Sequence, residues 1–530
     1  MYKLFILSIL ISCVGYADQP LLSLDGGEVD IVREGTKLWN DKDYLATEWP
    51  SGLKGQIFVR SSRNASSIKV LKEGYLLVVT PTYGQRGGFS EENTLKKAGF
   101  SRVDIKTFLP FKGAAINGDT CCVYQKMVEP GDTYVRKYEY GITLWREEPL
   151  PLVKNKALIN SKVASRITPP NPPNAGILFV DHSKNNRSGH LGHALVEYED
   201  GKILAFYPNC SDDNGGHSAV GWMEFKRSLD GGQTWGSPQV LAFSKELFES
   251  GQGKSAMASK ELFESGQGKS AMAEKAVLTD QGEIVLFYLI CDISENPLWQ
   301  PYWMPLFSKS ADGGKTWSDP KPLCSTRGRV YDAVYHNGEI MILHFANDAT
   351  VSWTGTTKDH VYEFYVSDDG GETFYRRSIL PFNTLNRGYG SLGFLEDGKM
   401  IAYVYNRSDE YNLDYITSAD GGRTWSGVNT AYFSRKIRNP QFIAFDGKYY
   451  MHGRSGAYGE GSGNMILYMS DDGVHWDNGV YLRMREAGAG AYSNSIVVGS
   501  KNNKTKNRLL IQASHAYKGN MTNILHWWVD

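Results

Sequence analysis

The chain has almost no surplus of charge: 57 Lys and Arg stand against 58 Asp and Glu in 530 residues, a formal net charge of −1. A dedicated nucleic-acid binder carries a basic excess or stripe, so that class is excluded as the main role. Cysteine is scarce, with six residues in all. Cys121, Cys122, Cys210, Cys291 and Cys324 are scattered and form no CxxC pair, which argues against a disulfide framework and against a zinc site. Adjacent Cys121 and Cys122 are expected on opposite faces of one strand. Long hydrophobic runs are missing beyond the N-terminus, so no membrane-spanning helix is expected. Long helices are not expected either, because 56 Gly, 20 Pro and 12% aromatic residues describe a chain of turns and strands.

What is present begins with an address. Residues 1–17 read MYKLFILSILISCVGYA: one Lys, a short apolar run, then small residues. This is the pattern of a secretory signal peptide, too short for a membrane span. Cleavage before Asp18 would release the protein. Leu10-Ile11-Ser12-Cys13 instead resembles a bacterial lipobox, which would leave Cys13 lipidated and the protein tethered. Both routes predict a secreted, periplasmic or cell-surface protein.

The sharpest break in composition is TPPNPPN at 168–174, a Pro-rich stretch that continues neither a helix nor a central strand. It is read as a linker. Before it, 25–167 holds short strand-like runs such as Gly55–Arg60, Gly74–Thr80 and Cys122–Lys126, and is expected to be a small β-sandwich-like accessory domain. Residues 175–530 form the second domain.

That second domain repeats itself. SLDGGQTW (228–235), SADGGKTW (310–317), SDDGGETF (367–374) and SADGGRTW (418–425) share one pattern, and SDDGVHW (470–476) is a copy one residue short. The motif reads as a tight turn: Asp accepts N–H groups, paired Gly permits positive φ, and the closing aromatic packs beneath. Upstream of each copy lies strand, tight turn, strand, as in ALVEYEDGKILAFY and GFLEDGKMIAYVY. Each unit therefore holds about four strands, the content of a propeller blade. The tail from Ala491 to Val529 supplies a sixth blade, and Gly176–Val180 is expected to close it. The fold class is all-β: a six-bladed β-propeller preceded by the small sandwich.

A 15-residue segment, SKELFESGQGKSAMA, occurs twice in tandem at 244–258 and 259–273. A blade needs one copy, so the other is expected to lengthen the connection between the first and second blades. Its GQGKS lacks the upstream Gly of a phosphate-binding loop. Gly388-Tyr-Gly-Ser-Leu-Gly393 matches GxGxxG but leads into a strand, so neither match implies a nucleotide.

The repeats resemble the Asp boxes, or BNR repeats, of the sialidase (neuraminidase) superfamily, and the likeness covers about 175–530. In that family the boxes sit on the blade periphery, so they imply fold and not active site. The resemblance also implies an exported glycosidase acting on a terminal acidic sugar of an extracellular oligosaccharide or polysaccharide, without a cofactor or metal. Sialidases clamp the substrate carboxylate with three Arg, attack with a Tyr that has a Glu partner, and use an Asp as acid/base.

Innermost strands of a propeller converge on one mouth, which nominates His190, His193, Glu274, Lys275, Arg329, Tyr331, Asp332, Arg387, Tyr389, Arg438, Asn439 and Tyr492. Other strand ends add Asp212, Asp213, His217, Arg407 and Arg454. Arg407 in Tyr405-Asn-Arg-Ser408 resembles the family's second arginine, Arg454 the third, and Tyr492 the nucleophile. Asp212 or Asp213 is the candidate acid/base, and Arg329 and Arg387 are further candidate substrate contacts. Two positions depart from the family. The first-arginine slot reads His190-Leu-Gly-His193, and Tyr389 stands where the Glu partner of the nucleophile is expected. His193 and His217 therefore support an alternative, a propeller polysaccharide lyase in which a neutral His removes the proton α to a uronic carboxylate. A glycan-binding propeller without catalysis is the third reading. The even charge balance is expected to hide a positive mouth.

Overall fold

The computed structural model describes residues 22–24, 28–47, 49–62, 67–81, 91–105, 107–111, 121–135, 141–152, 163–168, 176–250, 268–294, 296–456, 464–482, 492–499 and 507–530. The signal peptide, Cys13, most of the linker and residues 251–267 of the tandem repeat lie outside them. The chain divides into two compact units, Met1–Lys154 and Asn155–Asp530.

In the first unit a six-stranded antiparallel sheet is built around Gly74–Pro81, Cys121–Val128 and Ile142–Arg146. Leu77 and Val79 face one core, while Leu76 and Val78 face another. The second core is closed by Ile68, Val70 and Tyr134 of a three-stranded sheet, which gives the sandwich. Cys121 and Cys122 fall in opposite cores, as strand alternation requires. The five cysteines among the described residues are all free.

The second unit consists of five four-stranded antiparallel sheets and one five-stranded sheet, in chain order. Blade 1 begins with Leu195–Glu199, blade 2 with Lys269–Leu278 and blade 3 with Gly328–His336. Blades 4, 5 and 6 begin with Arg387–Phe394, Arg438–Phe445 and Ser493–Val498. Each of these first strands touches the next, and the last touches the first, so the six sheets close a ring. Second strands such as Ile284–Asp292 are apolar almost throughout, because neighbouring blades cover both of their faces.

Blade 6 receives only three strands from the C-terminal tail. Its outer edge is completed from upstream: Ile177–Val180 pairs with 524–526, and Ile167–Thr168 pairs with Val529 and Trp528. Residues 163–167, expected at the end of the accessory domain, and Thr168, expected in the linker, therefore belong with the second unit. Composition marked the prolines, whereas the exposed edge of the last strand decides where the second fold starts.

The Asp boxes connect the third and fourth strands of blades 1–5. Asp230, Asp312, Asp369 and Asp420 each accept the N–H of the Thr four residues on, at 2.9–3.0 Å. The Ser two residues before each Asp accepts the N–H of the second Gly at 2.8 Å. That Gly has positive φ and also lies against the preceding blade: a Cβ on Gly314 would meet Leu204, and one on Gly422 would meet Phe364. The closing aromatic reaches the same blade, Trp317 to Phe206 and Trp425 to Phe364. The box is thus a staple between adjacent blades.

The tandem repeat is divided between two elements. SKELFES of the first copy lies in the helix Ala242–Ser250, and KSAMA of the second copy starts the first strand of blade 2.

Candidate active site

The first strands of blades 2, 3, 4 and 5 each carry a β-bulge. The register slips between Ala273 and Lys275, Val330 and Asp332, Gly388 and Gly390, and Arg438 and Gln441. The residues left out of pairing include Glu274, Tyr331, Tyr389 and Asn439, and all four line one mouth. A bulge frees a residue from the pleat and re-aims its side chain, so four blades present polar groups to a common centre. The mouth is narrow, with a cavity volume of about 40 Å³.

At blade 4, Tyr389 is held at φ 39°, rare for a residue with a side chain. Glycine on both sides permits it: Gly388 lets Trp353 close in, and Gly390 leaves room for Leu343. The GxGxxG match is therefore a packing feature. Tyr389 Oη lies 3.0 Å from Tyr492 Oη. The Arg329 and Arg438 guanidiniums stand 5.7 and 5.9 Å from the Tyr389 ring. Burial alone would raise the Tyr389 phenol. Arg438, Arg329 and hydrogen bonds with Tyr492 and Asn439 outweigh it and hold the group below the ordinary phenol range. Tyr492 is pushed the other way, by burial and by Tyr389.

Two cations of the mouth are already paired. Arg329 bonds Glu274 at 2.8 Å, and Lys275 meets Asp332 at 3.0 Å. Lys275 also donates to Asn494 of blade 6 at 2.9 Å and to Gln441 of blade 5. Asp332 accepts from Ser391 and from the Leu392 N–H of blade 4. Five blades are tied through this one network. Arg438 and Arg454 have no carboxylate within ion-pair distance among the described residues, and each keeps a buried Nε without a partner. They supply the net positive character expected of the mouth.

His190 packs against His217 at 4.3 Å and against Tyr492 at 4.9 Å between ring centres. Burial and the nearby Arg454 and Arg438 push His217 down to about 4. Burial, His217 and Arg454 push His190 well down too. Both imidazoles are therefore neutral at pH 7. His193 lines the mouth, with Nδ1 3.4 Å from Gln512 and its titration lowered by burial to about 3. Among the described residues no three His, Cys, Asp or Glu side chains converge as a metal-ligand group.

The nominated residues fall into three sets. Tyr492, His193 and Arg329 line the mouth, and His217 and Arg454 flank it through His190 and Tyr492. Arg407 lies 5.6 Å from the centre of the Trp353 ring, and Arg438 is nearer to the same ring at 4.5 Å. Arg387 is engaged by Asp414 at 2.7 Å, and Asp213 is exposed on a short turn with its carboxylate held by Ser211 at 2.6 Å. The sequence nominates Arg438 only by its place at a strand start, and Tyr389 by such a place and by standing where the nucleophile's Glu partner is expected. Bulge position and the Trp353 insert, which govern their roles, leave no pattern in the sequence.

Fold and site together define a closed all-β propeller with an arginine- and tyrosine-lined polar mouth. No family model matches the chain. A sialidase from Paraclostridium sordellii is 28% identical over 200 residues, covering 32% of this chain and 48% of that protein. The chain thus matches about half the length of that relative. Among solved structures, the Hadza microbial sialidase Hz136 aligns with a TM-score of 0.46 at 14% identity, over 86% of this chain and 89% of that one. A variant of the NanB sialidase from Streptococcus pneumoniae aligns at 0.47 with 12% identity, over 92% and 85%. A protein of unknown function from Dyadobacter fermentans aligns at 0.48 with 14% identity, over 67% and 97%. The sequence relative is a sialidase, in keeping with the resemblance read from the Asp boxes.

Proposed function

We propose that the protein is a sialidase-like glycoside hydrolase that removes a terminal acidic sugar from an exported or cell-surface glycan. The observation that carries this reading is the pair Arg438 and Arg454, which have no carboxylate within ion-pair distance among the described residues and whose charges act on the Tyr492 hydroxyl. Guanidinium forks bind a carboxylate bidentately and stay charged. A sugar carboxylate held there would set the anomeric carbon against Tyr492, whose oxygen forms the new bond as the glycosidic C–O bond breaks. Asp213, on the exposed turn just before His217, would give its proton to the leaving oxygen. Glu274 Oε1 and Asn439 Oδ1, on residues that line the mouth, are buried acceptors without a hydrogen-bond partner among the described residues. Such atoms cost about 1–3 kcal/mol each unless a donor arrives, and sugar hydroxyls supply donors.

The test is a fluorogenic sialoside. Hydrolysis is expected, with loss of at least about 100-fold in turnover on Tyr492→Phe. One observation favours a second reading. Neutral His190 packs against Tyr492 and His217 packs against His190, and among the described residues no carboxylate bonds the Tyr492 hydroxyl, an arrangement suited to abstraction of a proton α to a uronic carboxylate. An unsaturated product from a uronic-acid polysaccharide would establish the lyase. Binding without either product would leave a glycan-binding propeller. Export rests on the 1–17 signal and is read out by fractionation, with Cys13→Ser separating tethered from released protein.

A further inference from the structure

We propose that Tyr389 is the proton acceptor for Tyr492: the two hydroxyls share a proton, and Tyr389 takes it when the Tyr492 oxygen becomes a nucleophile. In that step the Tyr492 O–H bond breaks, its electron pair stays on Tyr492, and the proton completes the Tyr389 hydroxyl. This deepens the hydrolase reading above and rests on it for the attack, but not for the shared proton.

The geometry carries the inference. Among the described residues the only side chain hydrogen-bonded to Tyr492 Oη is Tyr389, at 3.0 Å. A neutral phenol is a poor acceptor, so the pair works only if Tyr389 bears negative charge. Its surroundings supply that condition. Blade 3 brings Arg329 and Tyr331 against it, blade 5 brings Arg438 and, further off, Arg454, and its own blade brings Tyr405. Tyr302 faces it from the insert of blade 2, and Tyr492 from blade 6. Glu274 is neutralised by Arg329. Cations therefore outweigh anions around the ring, and the other tyrosines are held in their neutral form by burial. The bulge and positive φ at Tyr389 belong to the same account. A strained backbone persists where the surrounding structure requires the side chain in that place, and here it puts an oxygen on Tyr492.

Ultraviolet difference titration tests the shared proton without any substrate. Wild type minus Tyr389→Phe should show one phenol ionising below the ordinary value of about 10. Tyr492→Phe should keep that signal but move it upward, because the bond from Tyr492 is lost. Superimposable titrations of wild type and Tyr389→Phe would overturn the proposal. With the sialoside, Tyr389→Phe should lose about 100-fold or more in kcat with KM within a few-fold, and Tyr389→Glu should restore turnover with its acid limb moved to lower pH. An unchanged kcat in Tyr389→Phe would likewise overturn it. If wild type cleaves no sialoside, the hydrolase reading fails while the titration still decides the proton.

Discussion

Arg454 shows how one residue acquires a role from what does not touch it. It is 8% exposed, it lacks an ion-pair partner among the described residues, and Arg438 and burial together push its titration down. Two like charges held together out of water are unfavourable until an anion joins them. Arg454→Lys keeps the charge but removes the fork, and one charge-assisted hydrogen bond is worth about 1.5–3 kcal/mol. The expected outcome is a fall of about 10- to 100-fold in kcat/KM on the sialoside, checked by steady-state kinetics at matched circular dichroism. The nomination of Arg454 was legible in the sequence, since it precedes an Asp box. Arg407, its nominated companion, shares the ring of Trp353 with Arg438, at 5.6 and 4.5 Å from the ring centre.

At the scale of elements, the boxes behave as staples whose strength depends on ionised Asp. Burial works against Asp472, but the His475 side chain and the His475 and Val474 N–H groups prevail and bring it to about 2. A carboxylate depressed in the fold contributes stability above its unfolded value of about 3.9, and that contribution is lost as pH falls through 2. Asp472→Asn should therefore melt below wild type at pH 7, and the two melting curves should converge near pH 2. The repeated helix–strand connection makes a different prediction. The helix uses the first copy of SKELFES and the strand uses the second copy of KSAMA, so deleting 251–265 leaves both element sequences intact. Closure entropy changes only slowly with the length of a connection. A Tm within a few degrees of wild type is expected, with sialoside turnover retained. A large loss of Tm would show that the extra copy is structural.

At the scale of the whole molecule, closure and the axial network act together. The outer edge of blade 6 is completed by strands from both sides of the linker, so that blade has its full set only when upstream and C-terminal segments meet. Across the centre, Lys275 joins Asp332, Asn494 and Gln441. Removing one partner of a buried ion pair leaves the other uncompensated, at a cost of about 3–5 kcal/mol. Lys275→Met should lower stability by that amount in denaturant unfolding, and Asp332→Asn in the same background should add much less than it does alone. Additivity of the two would show that the pair is not coupled.

The sequence by itself determined the all-β class, the blade count and the structural nature of the boxes. These follow from local spacing: an Asp–Gly–Gly–Thr turn and alternating apolar strands carry their geometry within a few residues. It also placed Tyr492 and His193 near strand starts, and Arg454 at a strand end, that a ring must bring together. Tertiary structure alone decided which groups meet. Bulges at Glu274, Tyr331, Tyr389 and Asn439 set the side chains that line the mouth, and a bulge depends on pairing with a neighbouring strand. The acidity of Tyr389, the neutrality of His217 and the freedom of Arg438 come from charges contributed by other blades. Pairwise electrostatics and burial are properties of distance in space, and residues 190, 389, 438 and 492 acquire those distances only when the ring closes.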